Sequence, residues 1–316
     1  MKKLTRTETA AFLAANDGFA ILTHRRPDGD TLGSAVLLCR GLRQLGKAAY
    51  ILENPEITPK YAPLHKGLTM PSMQEGDVLV AVDTASKGML PEAFAHLADT
   101  IALRIDHHGT AESFTDWELV EPEAAACGEI VYAVLQELGV TLDEPMADVL
   151  YTAVSTDTGC FRYANTTPNT FRVAADCAAV SKNLFAMNQL YFDTNSLGSL
   201  RLQGWMVENA IFLQGGKAVI CALPKSVEEE LGLSEDDMEN ISGFPRSIEG
   251  VKVAATIRED VPGKVKISVR AVPGCDAAAI CAQFGGGGHK GAAGASMTCS
   301  MDEAVQALKK AIPTLE

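Results

Sequence analysis

The fold of this chain is decided near its amino terminus by the stretch Ile21-Leu22-Thr23-His24-Arg25-Arg26-Pro27-Asp28-Gly29-Asp30-Thr31-Leu32-Gly33-Ser34. The apolar residues 19–22 predict a short buried strand. Pro27 and Gly29 interrupt that pattern, and apolar residues then recur at helical spacing from Leu32 to Leu45. The stretch therefore predicts a strand, a polar loop and a helix, the unit from which parallel α/β sheets are built.

The polar loop carries one imidazole and two carboxylates, those of His24, Asp28 and Asp30. Open α/β sheets place their chemistry in loops at the carboxyl ends of strands. Carboxylates clustered there repel one another unless a cation lies between them, so one interpretation is a metal site. The alternative is a polar turn in which Asp30 caps the following helix.

Three further apolar elements end in ionisable residues, namely Asp83, the run Asp106-His107-His108, and Asp157. Strands alternating with helices predict a parallel, doubly wound sheet, and parallel strands bring their ends to one edge. A turn or a helix cap would explain Asp83 or Asp157 taken singly. The adjacent imidazoles of His107 and His108 favour ligand or catalytic roles.

Composition and charge restrict the class of protein. At 316 residues and 47% hydrophobic residues, the chain predicts a globular protein of two domains. A net charge of −13 argues against coating long duplex nucleic acid, although bound divalent cations would still allow a small anionic substrate. The eight singly spaced cysteines predict reduced thiols. No signal peptide or membrane-spanning run is found, so a soluble cytoplasmic protein is expected.

The pattern changes near residue 210, and we expect a larger domain over 1–185, a linker helix over 186–210 and a smaller α/β domain over 211–316. The loop Gln214-Gly215-Gly216-Lys217 between two apolar runs predicts a hairpin. The acidic block 228–239 predicts a solvated helix face.

The smaller domain contains its own candidate ligand-binding residues. Gly286, Gly287 and Gly288 would let the backbone approach a phosphate or a nucleotide end. A flexible turn explains the glycines equally well, but the neighbouring His289 favours binding. Two further residues, Arg258 and Arg270, end alternating strands, and either could clamp a terminal phosphate or be an ordinary surface arginine.

The spaced motifs His24-x3-Asp28-x-Asp30, Asp83, Asp106-His107-His108 and Asp157, in this order, resemble those of the DHH family of phosphoesterases. The loop Gly285–Gly294 resembles the glycine-histidine motif of the DHH-associated domain that follows in one branch. The resemblance covers nearly the whole chain. Within the family, the chain most resembles the nanoRNase and pAp phosphatase branch. Enzymes of that branch degrade very short oligonucleotides and remove the 3′-phosphate of 3′-phosphoadenosine 5′-phosphate (pAp).

The resemblance implies two metal ions, with Asp83 bridging them. One ion would be held by His24, Asp28 and Asp83, and the other by Asp30, Asp83, His107 and Asp157. Nitrogen and oxygen donors without a thiolate suit Mn²⁺, with Mg²⁺, Co²⁺ and Zn²⁺ as alternatives. The two ions would acidify a shared water and neutralise charge on the phosphoryl oxygens.

The resemblance also implies roles for the residues around the ions. Asp106 would orient a ligand imidazole or the water. His108 would contact the phosphate or protonate the leaving oxygen, with a supporting hydrogen bond as its alternative role. The second domain would bind the non-scissile end of the substrate.

The expected protein is thus a manganese-dependent oligoribonuclease and pAp phosphatase. The alternatives are a linear or cyclic dinucleotide phosphodiesterase and, outside enzymes, a non-catalytic nucleotide-binding module. The sequence leaves the oligomeric state open, with a homodimer as one option.

Overall fold

The computed structural model of this chain describes residues 2–109, 113–238 and 241–315. The chain forms two compact units, Met1–Thr194 and Asn195–Glu316. In the described ranges, no helix combines the length and the apolar character needed to cross a bilayer. All eight cysteines lie in these ranges and are free thiols.

The first unit is built on a sheet of seven parallel strands. These are β1 (Lys2–Lys3), β2 (Phe19–Leu22), β3 (Ala49–Leu52), β4 (Thr69–Met70), β5 (Val78–Val82), β6 (Leu103–Asp106) and β7 (Trp117–Val120). Their order across the sheet is β1-β7-β6-β5-β2-β3-β4, and every neighbouring pair is parallel. The predicted parallel α/β architecture is confirmed. The sequence patterns had not indicated the short strands β1, β4 and β7.

Both faces of this sheet are covered. The helices are α1 (Arg6–Ala15), α2 (Gly29–Gln44), α3 (Cys127–Glu137), α4 (Glu144–Asp157), α5 (Pro168–Val180) and α6 (Leu184–Asn188). Phe19 and Ile21 on β2 face the core formed with these helices. Ala20 and Leu22 face a second core, closed by the 3₁₀ segment Glu92–Thr100. All four residues of β2 are therefore buried, as is typical of strands in parallel sheets.

The second unit contains a mixed sheet of six strands. Its elements are α7 (Leu197–Glu208), β8 (Ile211–Leu213), β9 (Ala218–Leu223), α8 (Lys225–Leu231), β10 (Val253–Val261), β11 (Lys264–Ala271), α9 (Ala277–Ala282), β12 (Gly287–Gly288), β13 (Ala292–Met297) and α10 (Met301–Ala311). The strand order is β12-β13-β11-β10-β9-β8. Only β9 and β10 run parallel among these neighbours. The smaller α/β domain and the hairpin of β8 with β9 are confirmed.

One sequence-based expectation is wrong and another holds only in part. The linker helix predicted over 186–210 is interrupted, because Thr194 and Ser196 have extended backbones and the Ser196 side chain caps α7 by accepting from the Ser199 N–H. In the acidic block 228–239, most of the described acidic side chains are exposed as expected, and Glu239 lies outside the described residues. Glu228 is the exception: it is 3% exposed, and its carboxylate accepts hydrogen bonds from Lys225 and Arg258.

Candidate metal centre and substrate-binding residues

The loop after β2 positions two carboxylates in different ways. Asp28, rather than Asp30, caps α2, because Asp28 Oδ1 accepts from the backbone N–H groups of Asp30 and Thr31 at 3.0 and 3.2 Å. Asp30 is 1% exposed. Its carboxylate accepts from the N–H groups of Cys127 and Gly128, at 2.6 and 3.0 Å, in the first turn of α3. The N-terminal N–H groups of α3 therefore hold the carboxylate of Asp30, which belongs to α2.

Asp83 lies at the centre of the cluster. It follows β5 with a left-handed backbone (φ of 52°) and is 3% exposed. Its Oδ2 lies 3.5 Å from Nε2 of His24, and its Oδ1 lies 3.4 Å from Nε2 of His107. Each oxygen of the Asp83 carboxylate therefore faces an imidazole nitrogen.

Two groups of side chains meet at Asp83. Nε2 of His24 lies 3.7 Å from Asp28 Oδ1. Nε2 of His107 lies 3.7 Å from Asp30 Oδ2 and 3.6 Å from Asp157 Oδ2. Atoms that bind one cation at about 2.1 Å are themselves about 3 to 3.5 Å apart, so modest adjustment would let each group share an ion. The structure brings together all six predicted ligands: His24, Asp28, Asp30, Asp83, His107 and Asp157.

The two imidazoles are oriented by the backbone. Nδ1 of His24 lies 2.7 Å from the carbonyl of Arg25, and Nδ1 of His107 lies 3.2 Å from the carbonyl of Ala124. A carbonyl can only accept, so each Nδ1 must carry its proton. Each Nε2 then points at the carboxylates, which is the arrangement that metal-binding histidines commonly adopt.

Strained backbone is concentrated around the same cluster. Among the described residues, five non-glycine residues have positive φ; one is Asp83, and three more, Arg26, Cys160 and Phe161, lie within four residues of a candidate ligand in the sequence. Left-handed conformation costs such residues roughly 1–2 kcal/mol each. Strain of this kind gathers at functional sites, where the surrounding structure holds it in place.

Asp106 and His108 form a unit beside the ligands. Asp106 is fully buried. Its Oδ1 accepts from Nδ1 of His108 at 2.8 Å and from the backbone N–H groups of His107 and His108 at 2.8 and 3.2 Å. Asp106 therefore fixes the ring of His108, which is not one of the predicted ligands; to the ligand His107 it bonds only through the backbone N–H.

The protein groups of this cluster fit divalent cations. Asp83 Oδ1 is buried and has no hydrogen-bond partner among the described residues. Burial would raise the pKa of Asp83, but the imidazoles of His107 and His24 lower it. Burial lowers the pKa of His107, yet the carboxylates of Asp83, Asp30 and Asp157 outweigh it and raise that pKa to about 10. Without a bound cation, the positive charge of protonated imidazoles would have to offset the negative charge of the carboxylates.

Cation binding is therefore expected to release protons. His24 also has a pKa raised well above its usual value, because Asp28 and Asp83 outweigh its burial. Both imidazoles are then protonated in the apoprotein at pH 7 and must lose those protons to bind a metal. The Kd for Mn²⁺ should fall by at least about tenfold per pH unit between pH 6 and 8. Calorimetry in buffers of different ionisation enthalpy checks this, and a Kd independent of pH would contradict it.

In the second unit, Gly286 and Gly288 are required by packing. A Cβ on Gly286 would lie 2.2 Å from the carbonyl oxygen of Gly294, and one on Gly288 would lie 2.6 Å from that of Ala292. Gly287 has open space around it. Gly287 and Gly288 form β12 and pair with β13, so the run enters an ordered hairpin whose turn begins at His289.

The two candidate arginines do not share a site. Arg270 lies opposite Ala254 on β10, four residues from Arg258 on that strand, which is about 13 Å. Arg270 is instead two strands from Gly288, with β13 between them. The guanidinium of Arg258 donates to Glu228 at 2.8 Å and to Glu235 at 2.7 Å. Arg258 therefore stays an untested candidate, and the proposal below uses Arg270.

Two residues near the metal cluster were missed by sequence reasoning. Asn54 is buried, and its amide donates to Thr23 Oγ1 and to the carbonyl of His24 at 2.9 and 2.8 Å. Arg104 is a fully buried arginine in the middle of β6. A charged residue inside an apolar strand requires a partner. The arginine in Leu103-Arg104-Ile105 could therefore have indicated a buried ion pair, but the three residues were interpreted only as part of a strand.

Comparison with known proteins agrees with this geometry. A model described as "DHH family, N-terminal domain" matches residues 18–154, and one described as "DHHA1 domain" matches residues 215–314. A Thermus thermophilus protein, "Bifunctional oligoribonuclease and PAP phosphatase NrnA", is 35% identical over 92% of this chain and 88% of its own length. A Bacillus subtilis protein of the same description is 26% identical over 95% of both chains.

A solved structure shows the same fold. The crystal structure of an exopolyphosphatase-related protein from Bacteroides fragilis superposes with a TM-score of 0.85. It is 24% identical and covers 97% of this chain and 95% of its own. At that identity the likeness concerns the fold alone.

Proposed function

The chain belongs to the DHH family of phosphoesterases, and we propose that it hydrolyses short oligonucleotides and removes the 3′-phosphate of pAp. The observation that carries the proposal is Asp83, whose two oxygens face His24 and His107 in two separate groups of candidate ligands. The names and full-length similarity of the Thermus and Bacillus proteins support this choice of substrates.

We propose two divalent cations, Mn²⁺ in the first place, as the cofactor. His24, Asp28 and Asp83 would hold one, and Asp30, Asp83, His107 and Asp157 the other. Such cations activate water and neutralise negative charge on phosphoryl oxygens. The charged ligands lie at the ends of strands and helices, which hold their side chains in place during the reaction.

His108 is proposed to donate a proton or a hydrogen bond to the phosphate or the leaving oxygen. Its Nδ1 is bonded to Asp106, which leaves Nε2 as the donor on a ring that is 30% exposed. The hydrogen bond that His108 donates to Asp106 is the main reason that the pKa of His108 is raised. A raised pKa favours the protonated imidazole, which is the form that a general acid requires.

Arg270, together with the hairpin residues Gly286–Gly288 and His289, is proposed to bind the non-scissile end of the substrate. Arg270→Ala should raise KM about tenfold and change kcat little, because the lost contact is made in both the ground state and the transition state. Steady-state kinetics on pAp measures both constants. Lys266→Ala, four residues earlier on β11, is the matched control and should leave both unchanged. An unchanged KM for Arg270→Ala would remove its binding role.

The proposed function is tested by Mn²⁺-stimulated hydrolysis of pAp, dinucleotides, longer RNA and cyclic dinucleotides. We expect turnover of pAp and dinucleotides, with longer RNA cleaved more slowly. Preference for cyclic dinucleotides would favour the cyclic dinucleotide phosphodiesterase instead. Inactivity on every substrate, with Mn²⁺ bound, would favour a nucleotide-binding module.

A further inference from the structure

Arg104 on β6 is the largest of the fully buried side chains, with 1% of its surface exposed. Its NH2 donates to Glu118 Oε2 on β7 at 2.7 Å, and Glu118 is also 1% exposed. A buried ion pair is a weak source of stability, because desolvation offsets the attraction between the charges. Its presence beside the metal cluster therefore calls for another explanation.

The same guanidinium reaches the elements that carry the cluster. Its NH1 lies 3.4 and 3.3 Å from the carbonyl oxygens of Thr84 and Ala85, the two residues that follow Asp83. NH1 also lies 3.6 Å from Asp106 Oδ2. One side chain thus joins the segment after β5 and the end of β6 to Glu118 within β7.

Asp106 depends on this contact. Its Oδ1 holds His108 and two backbone N–H groups, whereas its Oδ2 has no hydrogen-bond partner in the described part of the chain. The cationic group next to Asp106 Oδ2 is the guanidinium of Arg104, whose NH1 lies 3.6 Å from that oxygen. Glu118 in turn holds the guanidinium in place, with its Oε1 bonded to Ser113 at 3.1 Å.

We propose that Arg104 and Glu118 are a positioning pair for the reaction. They hold Asp106, and through it His108, and they fix the backbone that leaves Asp83 in its left-handed conformation. Both side chains are buried, and neither belongs to the candidate ligand groups found among the described residues. The inference rests on the proposed function for its kinetic consequence, but the geometry that it describes exists without substrate.

The test replaces both charges at once. Arg104→Met alone leaves a buried unpaired carboxylate and would unfold the protein for that reason. In the double variant Arg104→Met/Glu118→Leu no unpaired Glu118 charge remains. Asp106 loses its cationic neighbour but keeps the three hydrogen bonds to its Oδ1, so the fold should persist. The matched control is Arg6→Met/Glu121→Leu. It removes another arginine–glutamate pair of the first unit, in which the two side chains bond to each other, and it keeps the bond from the Glu121 backbone N–H to the Asp106 carbonyl.

We expect the double variant to keep a melting temperature close to that of the parent protein while kcat falls tenfold to a hundredfold at saturating Mn²⁺. In the apoprotein, NMR of ¹⁵N-labelled histidine should show the Nδ1 proton of His108 losing the protection that its bond to Asp106 gives. The control variant should change neither readout. Unchanged kcat together with an unchanged His108 signal in the folded double variant would overturn the proposal.

A second variant covers failure of the double variant to fold. Arg104→Lys keeps a buried positive charge but cannot reach Glu118, Asp106 and the two carbonyls together. It should reduce kcat and perturb the His108 signal; parental values of both would equally overturn the proposal. The NMR readout needs no hydrolysis, so it separates a wrong positioning role from a wrong choice of substrate.

Discussion

Asp83→Asn is expected to abolish hydrolysis, with a loss of at least about a thousandfold in kcat/KM. Asparagine has almost the same shape as aspartate but lacks the charge that faces His24 and His107. It also tolerates the left-handed conformation that Asp83 adopts with a φ of 52°. The loss should therefore come from weaker binding of both cations and not from unfolding.

Three measurements on this variant are needed together: turnover of pAp and dinucleotides, the number of Mn²⁺ ions bound, and the melting temperature. Asp77→Asn is the matched control, because Asp77 precedes β5 as Asp83 follows it and instead accepts from the Tyr50 hydroxyl. The control should keep its activity and its Mn²⁺ binding. If Asp83→Asn retained turnover or full Mn²⁺ occupancy, Asp83 would not join the two groups.

The sequence predicted the site where an apolar strand pattern is followed directly by residues that can bind a metal. An apolar run followed at once by Asp or His identified the ends of β2, β5 and β6, and parallel topology then required those ends to meet. Six predicted ligands from four segments do meet in the structure. Strand order, however, depends on packing between distant segments, so β1 with its two lysines carried no local signal.

Hydrogen-bond partners were beyond the reach of the sequence. Nothing local shows that Asp28 rather than Asp30 caps α2, since both are good capping residues, and the N–H groups that hold Asp30 come from α3, about a hundred residues later. The sequence likewise does not show that Glu228 and Glu235 bind the Arg258 guanidinium. Pairings between distant residues decide such cases, and a single sequence does not display them.

Asp157→Asn is expected to abolish hydrolysis and at the same time to stabilise the apoprotein. Asp157 is the last residue of α4, whose last turn contains no basic side chain, so its carboxylate meets the negative end of the helix dipole. Burial is the main reason that its pKa rises to about 7. The ionised carboxylate therefore destabilises the fold unless a cation is bound to it.

The size and pH dependence of this gain follow from that pKa. Removing the charge should add about 1 kcal/mol at pH 8 in the presence of a chelator, which raises the melting temperature by about 2–4 °C. A carboxyl whose pKa is raised in the folded state loses stability as pH increases through that pKa. The gain should therefore fade as pH falls towards 4, where Asp157 is already protonated in the parent protein.

The opposite end of the same helix provides the control. Asp143 caps α4 by accepting from the Met146 N–H at 2.9 Å, and asparagine caps equally well. Asp143→Asn should therefore leave hydrolysis unchanged and, by losing a favourable charge at the helix start, destabilise the protein slightly.

Added Mn²⁺ should reverse the order of stability of the parent protein and Asp157→Asn, because the ion stabilises the parent protein more strongly than the variant. Thermal unfolding of the three proteins with chelator and with Mn²⁺ measures this, and an Asp157→Asn variant that is active or less stable than the parent in chelator would remove Asp157 from the cation-binding set.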